Sequence, residues 1–325
     1  MNKVFMVTEH DIDGIDASGN RAQWEISALK KKGFSDVTLI DKFDEKRVKE
    51  ISTGLIHAQQ LCGRFLKNTK YIVDAHGLEY DASSHLSHGY SIHSWKKYAF
   101  KIKSYHYKKL ENKIFQNSQH VICAGENIYE KVKNIQNATV VRNAVFLENY
   151  KPTECKILKV ALVGPFLPGK INYFGLDMIK HVVKTFSKVE FIFIGPTDKT
   201  FRDELQFKNT KFTGKVNNYV DTLRNCSVLL APFPKHAYYL GSKTKFLESA
   251  ACQMPIITTP TGNVDFQNDY MCLGKTKEEL VEQMHYLENE NVRIDLGKKL
   301  RIEIEKNYNA DIEVKKIIKL YNEYS

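Results

Sequence analysis

The sequence predicts an α/β protein made of two doubly wound domains, and three observations predict it. First, short and nearly continuous apolar runs alternate with helical patterns along the whole chain, as in parallel sheets covered on both faces. Second, these runs fall into two series of six. The first is Lys3–Thr8, Val37–Ile40, Leu55–His57, Tyr71–Asp74, His120–Cys123 and Thr139–Val141. The second is Leu158–Val163, Val189–Ile194, Lys211–Thr213, Ser227–Ala231, Ile256–Thr259 and Tyr270–Leu273. Third, the polar stretch Glu148–Lys156, ENYKPTECK, separates them. A chain of 325 residues accommodates two domains of roughly 150 each. The expected limits are 1–148 for the first domain and 149–308 for the second. A Lys-rich helix closes the chain in 309–325.

Composition narrows the class of function. The six cysteines at 62, 123, 155, 226, 252 and 272 show no C-x-x-C spacing. Disulfides and a zinc site are therefore not expected, and a reducing compartment is. Val4–Val7 is too short an apolar run for a signal peptide. No run approaches the roughly 18 apolar residues of a membrane span. The expected location is the cytoplasm, with the protein soluble or peripheral on the cytoplasmic membrane face. A net charge of +10 brings nucleic acid to mind. No helix-turn-helix, zinc-finger or RNA-recognition motif accompanies it, so nucleic acid is not the expected partner.

The most informative stretch is Gly241–Gly262, GSKTKFLESAACQMPIITTPTG, which parses as loop, helix and strand. Gly241 and Ser242 open the helix, with Ser242 as the expected N-cap. Lys243, Thr244 and Lys245 occupy its start, and Pro255 stops it. Thr244, Lys245 and Glu248 lie three and four apart and share one surface. A helix N-terminus preceded by glycine offers free N–H groups and a positive dipole end to phosphate. The carboxylate of Glu248 suits a pair of sugar hydroxyls. A plain surface Lys–Glu pair is the competing reading of the same residues.

In the first half, the loop His10–Asn20, HDIDGIDASGN, joins a strand to the helix Arg21–Lys32. Loops of this kind bind ligands in open α/β sheets, and Gly19 is a donor-binding candidate. Asp11-Ile12-Asp13 spells D-x-D, but these aspartates read as loop and cap residues. Tyr71–Asp81, YIVDAHGLEYD, places His76 and Gly77 at the carboxyl end of a strand. His85, His88 and His93 read as loop histidines with no metal-binding pattern. Trp95–Lys113, WKKYAFKIKSYHYKKLENK, is a basic amphipathic helix. Trp95, Ala99, Ile102, Tyr105 or His106, and Leu110 form its expected apolar stripe. Trp95, Lys96, Lys97, Lys101 and Lys108 make it a candidate contact to an anionic membrane or to the acceptor. The alternative is a solvated helix packed by its stripe.

The second half opens with Leu158–Lys170, LKVALVGPFLPGK, in which Gly164, Gly169 and Lys170 fit most of a P-loop. Residue 171 is Ile where magnesium needs a hydroxyl, two prolines stiffen the loop, and no later strand ends in a Walker-B Asp.

Lys245, Glu248, Ala250 or Ala251, Pro255 and Gly262 resemble the signature of retaining glycosyltransferases of family 4, the glycosyl transferases group 1. The resemblance implies the GT-B architecture, two Rossmann-like domains facing a cleft. It implies that Gly164 starts the phosphate loop, that Lys170 and Lys245 neutralise the diphosphate, and that His76 faces the donor sugar. The closing helix would return to the first domain. Glu111 and Asn143-Ala144-Val145-Phe146 resemble further family segments. Two departures stand out. Pro165 replaces an arginine, and Leu240 replaces the first glutamate of a Glu-x7-Glu pair.

The expected function is hexosyltransferase-type transfer, with retention, from a nucleotide-diphosphate sugar to an acceptor hydroxyl on a glycan or lipid-linked glycan. His76, Lys170 and Glu248 are the catalytic candidates, and neither metal nor cofactor is assigned. A P-loop nucleotide hydrolase and a non-catalytic sugar-nucleotide or nucleic-acid binding protein are the alternatives.

Overall fold

A computed structural model describes residues 3–11, 17–153, 156–167, 175–237, 243–264, 266 and 268–324, with only the backbone of 17–20. The chain divides into two compact units. One runs to Ala144 and takes in the C-terminal segment from Tyr308; the other runs from Val145 to Asn307.

The first unit contains β1 (Val4–Val7), α1 (Ala17–Lys31), β2 (Val37–Ile40), β3 (Leu55–Gln59), β4 (Tyr71–Ala75), α2 (Glu79–His88), α3 (Trp95–Asn117), β5 (His120–Cys123), α4 (Glu126–Val132) and β6 (Ala138–Val140). Its strands form one parallel sheet in the order β2-β1-β3-β4-β5-β6. Every residue of β1, β3, β4 and β5 is buried, which is why these runs are apolar rather than alternating. The order reverses between β1 and β3, so the carboxyl ends of those two strands form the switch point where such sheets take ligands.

The second unit contains β7 (Lys159–Val163), α5 (Leu176–Thr185), β8 (Glu190–Ile194), α6 (Lys199–Leu205), β9 (Thr210–Gly214), α7 (Tyr219–Arg224), β10 (Val228–Ala231), α8 (Thr244–Ala251), β11 (Ile256–Thr258), β12 (Cys272–Leu273), α9 (Lys277–Tyr286) and α10 (Glu290–Asn307). The sheet order β12-β11-β10-β7-β8-β9 is again parallel, with its switch point between β7 and β10. Asp198 and Thr276 cap α6 and α9 through their side chains. Helix α10 crosses the end of α8 at Gly297, where a Cβ would come within 1.9 Å of the Gln253 carbonyl. The last helix, α11 (Ala310–Tyr324), belongs to the first unit, where it packs along α1.

Each of the twelve apolar runs carries an observed strand, and the class is α/β with two doubly wound units. Three local expectations are corrected. Lys243, not Ser242, stands at the N-cap of α8, and its side chain makes no capping bond. His85 and His88 lie on α2 rather than in a loop, because Glu111 on α3 caps that helix. Its carboxylate accepts from the backbone N–H groups of Glu79 (2.8 Å) and Tyr80 (3.0 Å). Asp11 does lie in a loop, where it pairs with Lys42 at 2.7 Å; Asp13 falls outside the described residues. The expected apolar stripe of α3 is only in part its packing face: Leu110 packs against the core and Ala99 is half-buried. Trp95, Ile102, Tyr105 and His106 are exposed, whereas Phe100, Ser104, Tyr107 and Glu111 turn inward. The described cysteines, 62, 123, 226, 252 and 272, are buried.

Candidate functional site

The switch point of the second unit gathers the residues of the Gly241–Gly262 stretch that the structure describes. Strand β7 ends at Val163 and runs into Gly164, where a Cβ would lie 2.6 Å from the Phe166 ring. Glycine is required there because Phe166 folds back into a stack on Phe201, 4.7 Å between centroids. Thr259, just past β11, fixes the chain leaving β10. Its hydroxyl donates to the Phe233 carbonyl (2.6 Å) and accepts from the Phe233 N–H (3.2 Å).

Helix α8 enters beside these two strand ends. The Lys245 amine donates to the Val163 carbonyl at 2.6 Å. Lys243, buried, and Lys245 both stand over the Phe233 ring, at 4.9 and 5.6 Å. Burial and then the neighbouring Lys243 charge push the Lys245 amine down to about 7, with Glu248 opposing. Two amines crowded at a helix N-terminus make a receptor for an anion, whose charge would relieve their mutual repulsion.

One turn on, Glu248 is held by two phenols. Its Oε2 accepts from Tyr219 at 2.8 Å and its Oε1 from Tyr150 at 3.4 Å. Burial raises the carboxyl above its ordinary range, against the pull of the two phenols and Lys245. Arg301 braces this arrangement by donating to the carbonyls of Tyr150 (3.0 Å) and Ala251. Tyr150, Tyr219 and Arg301 were invisible to sequence reasoning. They reach α8 from distant segments, and no local spacing signals such a contact. Gly169, Lys170, Leu240, Gly241 and Ser242 lie outside the described residues.

In the first unit, His76 follows β4. Its Nδ1 lies 3.7 Å from Asp74 Oδ1 at the strand's end, and burial lowers its pKa against that carboxylate, favouring neutral imidazole. Asp74 is the centre of a buried network. Arg21 Nε contacts both its oxygens at 2.9 Å and Glu25 at 3.2 Å. The same guanidinium donates to Asn143 Oδ1 (2.8 Å) and to the Val141 carbonyl (2.9 Å). His57 Nε2 stands 3.6 Å from Asp74, and His57 Nδ1 pairs with the Tyr321 hydroxyl at 2.7 Å. Arg21 holds Asp74 well below the usual carboxylate range despite its burial. Glu25, His57 and Asp74 also converge closely enough to suggest metal ligation. The Arg21 guanidinium already supplies the positive charge at that point, so the cluster reads as an ion-pair network.

The β1/β3 switch point holds a polar cavity of about 280 Å³ lined by Glu9, His10, Gln60, Arg64, Glu79 and Tyr107, among others. Arg64 pairs with Glu9 at 2.9 Å. Carboxylates, amides and an aromatic ring together are the equipment of a sugar-binding pocket. Gly19 lies in the first turn of α1. Lys96, Lys101 and Lys108 are exposed on α3, while Lys97 is half-buried.

Residues 158–290 match the family model described as Glycosyl transferases group 1. No curated protein sequence gives a match. Among solved structures, the chain is similar to a sucrose-phosphate synthase from Thermosynechococcus elongatus, at 12% identity and a TM-score of 0.79, covering 99% of this chain and 98% of that one. Anabaena HepE, solved in complex with UDP and glucose, matches at 9% identity and a TM-score of 0.71, covering 99% and 100%. A UDP-forming α,α-trehalose-phosphate synthase from Burkholderia xenovorans matches at 9% identity and a TM-score of 0.66, covering 100% and 99%. These likenesses show a shared fold, GT-B.

Proposed function

We propose, for a chain whose residues 158–290 match the family model described as Glycosyl transferases group 1, that it moves a hexose from a nucleoside-diphosphate sugar to an acceptor hydroxyl with retention. The observation that carries the reading is Lys245 at the β7/β10 switch point, beside Glu248 held by two phenols. In the reaction the C1–oxygen bond to the diphosphate breaks and a bond from the acceptor oxygen to C1 forms. The acceptor proton passes to the departing phosphate. Charge grows on the leaving group, so amines in place before reaction lower the barrier most. Lys245, Lys243, the α8 N-terminus and Lys170 are the proposed diphosphate contacts. Glu248 is proposed to bind ribose hydroxyls, and His76 the donor sugar.

The polar cavity at the β1/β3 switch point is the proposed seat of the acceptor's sugar. A lipid-linked glycan is the proposed acceptor, which would make the protein cytoplasmic and peripheral. No metal or other cofactor is proposed. Incubation with UDP-, GDP- and ADP-sugars, with the product's anomeric configuration read by NMR, tests the reading. Release of nucleoside diphosphate with the donor's configuration kept supports it; inversion would remove retention.

A further inference from the structure

Helix α3 packs on the first unit by one face and leaves the other bare. Phe100 stacks on Tyr90 with centroids 5.6 Å apart, and the Ser104 hydroxyl donates to the Tyr80 carbonyl at 2.7 Å. On the opposite face Trp95, Tyr98, Ile102 and Tyr105 are 72%, 55%, 60% and 58% exposed. Their spacing of three, four and three residues makes a single row along the helix. Ile92, 63% exposed, extends it before the first turn. Lysines flank the row on both sides at 96, 101, 103, 108 and 109, and the Lys109 amine lies 4.6 Å from the Tyr105 ring centroid. From Trp95 to Leu110 the sequence holds no Asp or Glu. Beside the row is a cavity of about 410 Å³ lined by Tyr90, Trp95, Lys96, Ala99, Phe100 and Lys103.

We propose that this face docks on an anionic lipid surface. Trp95, Tyr98, Ile102 and Tyr105 lie at the boundary between headgroups and acyl chains, and the flanking lysines reach the lipid phosphates. Amphipathic aromatic rings favour that boundary, and lysine stems run along apolar surface to keep their amines among the headgroups. The cavity between Lys96 and Lys103 is the seat for one lipid's phosphate and upper chain. Charge decides the occupant. A second copy of the helix would bring an all-lysine border against another, whereas an anionic bilayer complements both the border and the row. No described helix is long and apolar enough to cross a membrane, so docking is peripheral. The docking stands on the helix itself; its use in delivering an acceptor rests on the lipid-linked reading above.

The chain has two tryptophans, Trp24 buried and Trp95 exposed, which makes the test direct. The full-length protein is mixed with vesicles of phosphatidylcholine and brominated phosphatidylglycerol at low salt. Trp95 emission is expected to shift to the blue and to be quenched, with release at high salt. Trp95→Phe removes the shift. The double variant Tyr98→Ser with Ile102→Ser is expected to bind at least about tenfold more weakly, while UDP binding, measured on the same preparation, is unchanged. Absence of vesicle binding, binding without quenching, or equal binding by the double variant would overturn the proposal. So would a dimer in sedimentation that the double variant abolishes, since the occupant would then be a second copy. Wild-type docking without nucleotide binding would leave this inference standing and refute the donor reading alone.

Discussion

Lys245 donates to the main-chain carbonyl of Val163 at 2.6 Å, which ties helix α8 to the end of β7, the first strand of the second unit. The bond places a half-buried amine at the switch point and keeps Lys243 close enough to depress it. An incoming diphosphate would restore its full charge.

A pH dependence follows. With its pKa lowered to about 7, the amine loses its proton over a range where a free lysine keeps one. Between about pH 7 and pH 10 the unfolded chain binds more protons at this residue than the folded one, so its contribution to stability rises with pH. Nucleotide affinity runs the other way, because the anion needs the charged amine. Isothermal titration with UDP and denaturant titration across that range are expected to give opposite slopes. Lys245→Met is expected to flatten both and to weaken UDP by about tenfold or more.

The two phenols on Glu248 are expected to act through that carboxylate. Tyr219→Phe removes the 2.8 Å bond and leaves a half-buried carboxylate under-satisfied. A loss of stability of about 1–3 kcal/mol is expected in urea, together with weaker UDP binding. Tyr150→Phe, whose bond is 3.4 Å, is expected to cost less. Equal effects would mean that the two contacts are not ranked by their geometry.

The Arg21 network is expected to be structural. Arg21→Met leaves the Asp74 carboxylate buried without its cation, at a cost of about 3–5 kcal/mol, while burial and the Asp74 charge already hold the Glu25 carboxyl well above its ordinary pKa range. Restoring neutrality with Asp74→Asn in the same chain is expected to recover part of that loss. Thermal melts of the two variants measure it, and a double variant no more stable than Arg21→Met would argue against charge as the cause.

Much of the fold was legible because buried parallel strands need apolar runs, and each of the twelve runs is a strand. The packing face of α3 was legible only in part. Its inward positions carry Ser104, Tyr107 and Glu111 beside Phe100 and Leu110, so hydrophobicity alone found only part of that face. Ser104 and Glu111 face inward because Tyr80 and the start of α2 offer them backbone partners. The α8 stretch was legible as a motif, since glycine, lysine, glutamate and proline fall at helical spacing. What holds it was not, because Tyr219 and Glu248 are separated by 29 positions and meet only through the fold. Arg21 and Asp74, separated by 53, met in the same way.

The central claim is metal-free glycosyl transfer from a nucleotide sugar. Its most direct test is the release of nucleoside diphosphate from a panel of nucleotide sugars with excess EDTA present, comparing wild type with Lys245→Met and Lys170→Ala. The account predicts release that survives the chelator and falls in both variants, by more in rate than in donor affinity for Lys170→Ala. Hydrolysis of ATP or GTP that EDTA abolishes, with no sugar transferred from any donor, would contradict it.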